Sequence, residues 1–68
     1  MNKKVSRNVK RIINEKGIKQ KYIAETLGIT QPKLSRMVNG SRKPDPVELY
    51  KISKILNVDI NEFFKGVE

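Results

Sequence analysis

Helix stops divide this chain before any one helix can grow long. Gly17, Gly28 and Gly40 fall eleven or twelve residues apart, and glycine takes the left-handed backbone that closes a helix at no steric cost. Pro32, Pro44 and Pro46 tighten the limits, because proline is tolerated in a helix's first turn and not in its interior. A chain punctuated in this way is confined to short helices. Short helices hold in water only when each buries an apolar face against the others.

The apolar positions supply those faces. Val5, Val9, Ile12 and Ile13 lie at i, i+4, i+7 and i+8, which predicts a first helix ending near Lys16-Gly17. Ile23, Ala24 and Leu27 mark a second helix of barely two turns, stopped at Gly28. A third spans about Gln31 to Val38. Thr30 caps it, Pro32 sits in its first turn, Leu34, Met37 and Val38 form its buried stripe, and Asn39-Gly40 ends it. Ser41, Arg42, Lys43 and Pro44 make a basic loop. Asp45-Pro46-Val47-Glu48 opens a fourth helix, with Asp45 as cap, Pro46 as first helical residue and Glu48 as return partner of a capping box. Leu49, Ile52 and Leu56 run down one side of it, with small Ser53 on the same face. Asp59-Ile60-Asn61-Glu62 repeats the capping pattern and predicts a short fifth helix through Phe63 and Phe64, with residues 66–68 fraying. No segment alternates with period two, so the expectation is a single all-α domain over residues 1–68.

Sixty-eight residues hold one domain, and with neither cysteine nor histidine there is no disulfide and no usual zinc ligand to staple it. The net charge of +8 is concentrated at the front: residues 1–43 carry +10 and residues 44–68 carry −2. Such a field draws polyanions, be they a DNA backbone, an RNA or an anionic lipid surface, and also serves simple solubility. Charge does not choose among these. The segment MNKKVSRNVK lacks the apolar run of a signal peptide or membrane span, which gives the expectation of a cytoplasmic protein without a membrane partner. An enzyme is not expected, since carboxylates double as helix caps and no glycine-rich phosphate loop follows a strand; no cofactor is expected either. Four aromatics without a basic, interleaved platform argue against single-stranded RNA.

Residues of about 20–38 thus read as a helix-turn-helix. On a wheel of 100° per residue the third helix places Pro32, Ser35 and Arg36 opposite its apolar stripe, Lys33 on the flank and Gln31 in the first turn. These five are the base-contacting candidates. The Gln31 amide both donates and accepts, which matches adenine N6 and N7, and Arg36 can fork onto guanine O6 and N7 or onto a phosphate. Lys33 suits a phosphate as well as a base, and Pro32 either shapes the turn or touches a thymine methyl. Gln20, flanked by Lys19 and Lys21, stands at the positive end of the second helix, where an anion is welcome.

An ordered set of residues carries a family resemblance: Gln20, Ile23-Ala24, Gly28-Ile29-Thr30, Leu34-Ser35-Arg36, Asn39-Gly40, Lys43-Pro44, the Leu49, Ile52 and Leu56 stripe, and Val58 through Phe63. From about Val9 to Phe64 the chain resembles a helix-turn-helix domain of the Cro and phage-repressor type, the xenobiotic-response-element family of bacterial and phage regulators. The resemblance implies a compact five-helix, lambda-repressor-like domain that docks its third helix in the major groove. It implies a sequence-specific regulator of transcription, a repressor, bound to double-stranded DNA as a homodimer on a palindrome, with no small-molecule ligand. It also implies an adenine contact for Gln31 and a phosphate clamp from Asn39, Ser41, Arg42 and Lys43, beside that of Lys19, Gln20 and Lys21. An antitoxin-like module that neutralises a protein partner and regulates its own operon is the alternative the same fold can host. Three positions depart from the family pattern. Lys19 stands where a Ser or Thr cap is usual, Val38 where Glu commonly precedes Asn-Gly, and Tyr22 replaces an acidic residue. For the dimer contact, Ile55, Phe64 and Val67 are the apolar residues left over once the stripes are buried.

Overall fold

The computed structural model describes residues 3–67. Four α-helices and a closing 3-10 turn follow in order: α1 (Lys3–Lys16), α2 (Gln20–Leu27), α3 (Gln31–Val38), α4 (Pro46–Leu56) and the turn (Ile60–Phe64). There is no strand among the described residues. The expected fifth α-helix is corrected to this 3-10 turn. Asp59 caps it, its carboxylate accepting from the Asn61 N–H at 2.8 Å, but five residues before a left-handed Gly66 leave too little chain for i→i+4 bonding to propagate. Of the tail expected to fray, the Gly66 carbonyl accepts from Lys4 Nζ at 3.1 Å and Val67 packs on the core; Glu68 lies outside the described residues.

The stripes read from the sequence converge on one core. Val5, Val9, Ile12 and Ile13 of α1, Ile23 and Ala24 of α2, Leu34, Met37 and Val38 of α3, Leu49, Ile52 and Leu56 of α4, and Phe63 are all buried. Leu27, Ile29, Ile55, Ile60 and Val67 pack around them, half-buried. Phe63 is fully covered, which at about 3–5 kcal/mol for a large aromatic makes the last turn part of the core rather than an appendage. Val38 is buried too: where a glutamate would reach solvent, this residue packs.

Local signals set most helix ends. Thr30 Oγ1 accepts from the Lys33 N–H at 3.3 Å, and Asp45 Oδ1 from the Val47 N–H at 2.7 Å. Gly28, at φ +74°, turns the chain between α2 and α3, and the Gly28 and Ile29 N–H groups close onto the Glu25 and Ala24 carbonyls. Asn57 does the same for α4 at φ +57°. One cap differs from its expectation. Glu48 does not return to the Asp45 N–H; its carboxylate accepts from Arg42 Nη2 at 2.7 Å, so the box is replaced by a single-sided cap and a cross-loop ion pair.

Two side chains of α1 fasten the end of the fold. Asn8 Nδ2 donates to the carbonyls of Phe63 and Lys65, both at 2.9 Å, while Lys4 reaches Gly66. These bonds span 55 to 62 residues of sequence. They pin the closing turn along the first helix.

Candidate functional site

The three residues between α2 and α3 make the site possible. With Gly28 left-handed and Thr30 extended as a cap, α3 leaves the turn with Leu34, Met37 and Val38 against the core and its other face outward. Gln31, Pro32, Lys33 and Arg36 are exposed, and Ser35 is half-buried. Four of the five base-contacting candidates are therefore open to solvent, and the fifth, Ser35, is partly covered. No salt bridge engages Lys33 or Arg36 among the described residues, so both charges face solvent.

The flanks of α3 carry the remaining candidates. At the start of α2, Lys19 occupies the cap position with an extended backbone and makes no side-chain cap bond, as expected for a lysine where a hydroxyl would serve. Lys19 and Lys21 are exposed and Gln20 half-buried beside them. Beyond α3 the loop folds back on the helix it follows: the Ser41 and Arg42 N–H groups both donate to the Arg36 carbonyl, at 2.9 and 3.2 Å. Asn39 is more than a helix stop. Its Nδ2 donates to Ser35 Oγ and its Oδ1 accepts from Lys10 Nζ, each at 3.3 Å, so α1 is tied to the end of α3. Lys10 is a cation beside the site that sequence reasoning missed; its place on the outer side of α1, away from the Val9 and Ile13 stripe, was the available signal. Ser41 and Lys43 are exposed, whereas Arg42 is half-buried and held by Glu48.

Of the three residues named for a dimer contact, Ile55 and Val67 are half-buried and pack on the core. Phe64 is exposed, and Val47 and Tyr50, one turn apart on α4, are more so at 61 % and 54 %. Those two were missed although both fall off the Leu49, Ile52 and Leu56 stripe. Lys54 Nζ lies 5.2 Å from the Tyr50 ring centroid, a cation–π contact on the same surface. Tyr22 is exposed on α2, its carbonyl accepting from Thr26 Oγ1 at 2.9 Å. Among the described residues no cluster of His, Cys, Asp or Glu is placed to hold a metal, and no helix is long and apolar enough to cross a membrane.

Residues 9–63, nearly the whole packed unit, match the family described as Helix-turn-helix. The chain belongs to the Cro and phage-repressor type of helix-turn-helix proteins. Two curated relatives agree with the match. It is 39 % identical over 61 residues to an uncharacterized HTH-type transcriptional regulator of Bacillus subtilis, YqaE, covering 90 % of this chain and 53 % of that protein. It is 34 % identical over 58 residues to an uncharacterized HTH-type transcriptional regulator of Sinorhizobium fredii, y4dJ, covering 85 % of this chain and 75 % of the relative. The chain thus spans about half the length of the first relative and three quarters of the second. In this helix-turn-helix chain α2 and α3 are joined through Gly28, Ile29 and Thr30, and α3 keeps Gln31, Pro32, Lys33 and Arg36 exposed.

Proposed function

We propose that the chain is a sequence-specific regulator of transcription that binds double-stranded DNA through α3. The observation that supports this best is the division of α3 itself: three buried anchors fix its orientation, while Gln31, Lys33, Ser35 and Arg36 offer amide, ammonium, hydroxyl and guanidinium groups on the outward face. In a major groove that face meets base edges, with Gln31 suited to adenine and Arg36 to guanine. Lys19, Gln20 and Lys21 on one side and Asn39, Ser41 and Lys43 on the other would grip phosphates and set the register. Lys10, through Asn39, joins the second group. Arg42 enters it with its charge offset by Glu48.

One such helix reads only a few base pairs. A homodimer with half-sites about 34 Å apart would read a palindrome and occlude a promoter, which is the repressor reading. Phe64 is the exposed apolar residue of the last turn available for that contact. Selection from random duplexes, followed by affinity measured at several salt concentrations, tests the proposal. A recovered palindromic motif with a steep loss of affinity on adding salt supports it. Recovery of no motif, or binding indifferent to salt, refutes it.

A further inference from the structure

Gln31, Ser35 and Asn39 stand four residues apart, so they form one row along α3, from its first residue to its C-cap. Two side-chain bonds join the far end of this row to α1. Lys10 Nζ donates to Asn39 Oδ1, and Asn39 Nδ2 donates to Ser35 Oγ, each at 3.3 Å. Chemistry fixes the direction of both. An ammonium has only donors, so it faces the amide oxygen and turns the amide nitrogen toward the serine. Ser35 Oγ therefore receives a hydrogen bond, and its own proton is uncommitted. Two other helical hydroxyls differ: Thr26 Oγ1 and Ser53 Oγ donate to the Tyr22 and Tyr50 carbonyls of the preceding turn, at 2.9 and 2.6 Å. Ser35 Oγ donates to no group among the described residues. The residue is half-buried and keeps accessible surface, with exposed Gln31 one turn before it and exposed Arg36 next to it.

We propose that Lys10, Asn39 and Ser35 form a one-way donor relay that makes Ser35 a base-specificity residue, its hydroxyl donating to an acceptor on a base edge. This deepens, and rests on, the proposed reading of α3 as the helix that enters the groove. Each bond in such a chain polarises the next, so a hydroxyl that accepts from a cation-linked amide becomes a stronger donor and a weaker acceptor. In the major groove guanine, adenine and thymine each present an acceptor, whereas cytosine presents only its amino donor. The relay thus rejects cytosine on the contacted strand at the base pair facing Ser35. Lys10 and Asn39 are positioning residues, and the second Nδ2 proton of Asn39 stays free for a phosphate.

The test has one arm without DNA. Ser35→Ala and Lys10→Ala should each move the Asn39 side-chain amide resonances of the free protein, and Ser35→Thr, which keeps the hydroxyl, should leave them near their native positions. Unmoved resonances in either alanine variant would overturn the relay. The second arm measures affinity for every single-base variant of the duplex selected by the native chain. The native chain should bind about tenfold more weakly when cytosine is placed at one position per half-site, distinct from the position that depends on Arg36. Ser35→Ala should reduce that penalty below about twofold, and Ser35→Thr should retain it. Asn39→Asp reverses the relay: a carboxylate has no proton to give, so the serine hydroxyl turns toward it and offers lone pairs to the DNA. Affinity for all duplexes should fall with the added negative charge, but the cytosine penalty should vanish. A merely structural role would weaken every duplex alike and leave the penalty in place. A native profile without such a position, or a penalty that survives in Ser35→Ala or Asn39→Asp, would overturn the assignment. If the native chain selects no duplex, the DNA-binding reading fails and the base assignment with it, while the first arm still reads the relay alone.

Discussion

Asn8 supplies the side-chain hydrogen bonds that hold the closing turn to α1 at Phe63 and Lys65. Its single amide donates at 2.9 Å to the carbonyls of both Phe63 and Lys65, and the residue is half-buried between α1 and the turn. Asn8→Ala removes two hydrogen bonds worth about 0.5–1.5 kcal/mol each, so the expected loss is about 2 kcal/mol. For a domain of this size that lowers Tm by roughly 8–16 °C, at about 4–8 °C per kcal/mol. Asn8→Asp should cost more, since a carboxylate would face two carbonyl oxygens with no proton to share. Urea unfolding gives the free energy, and hydrogen exchange locates the damage. The Val67 amide, which donates to the Phe64 carbonyl at 3.0 Å, should lose protection well before amides in the middle of α4. A change under 0.5 kcal/mol, or uniform loss of protection across the chain, would refute the claim that Asn8 pins this turn.

Three further substitutions probe the site's flanks. Lys19→Ser restores a side-chain acceptor at the start of α2 and should add about 0.5–2 kcal/mol of stability by denaturant unfolding, while weakening DNA binding at low salt. Glu48→Gln releases the Arg42 charge, and equilibrium binding should show tighter association with a steeper salt slope, against some loss of stability. Lys43→Ala should weaken binding to all duplexes alike and flatten the salt slope by roughly one unit.

The helix ends were legible because their causes are local. Gly28, Thr30 with Pro32, and Asp45 with Pro46 each act within one turn, and α3 begins and ends where the Thr30 cap and the Asn39-Gly40 stop put it. Misreadings arose where a distant or competing partner decides. Glu48 satisfies the pattern of a capping box, but Arg42, six residues earlier, offers it a charge-assisted bond instead. The Asp59 cap is real, yet the helix it opens is too short to leave the 3-10 form. Asn8 and Lys4 carry no local signal of their roles; their acceptors lie 55 to 62 residues away and exist only once the fold is made. Val47 and Tyr50 were visible on the wheel of α4, as apolar residues off its buried stripe. The outward face of α3 was legible for a simple reason. Three buried positions in eight residues fix the helix rotation and leave Gln31, Lys33 and Arg36 no side but the outer one.

The central claim, that α3 reads bases while its flanks hold phosphates, is tested most directly by one profile: the affinities of the native chain and of Arg36→Ala for every single-base variant of the selected duplex. The native chain should lose about 1–3 kcal/mol at each specified base pair, and Arg36→Ala should lose discrimination at one position per half-site with the others intact. A profile in which Arg36→Ala weakens every duplex equally would make Arg36 a phosphate contact and contradict the account.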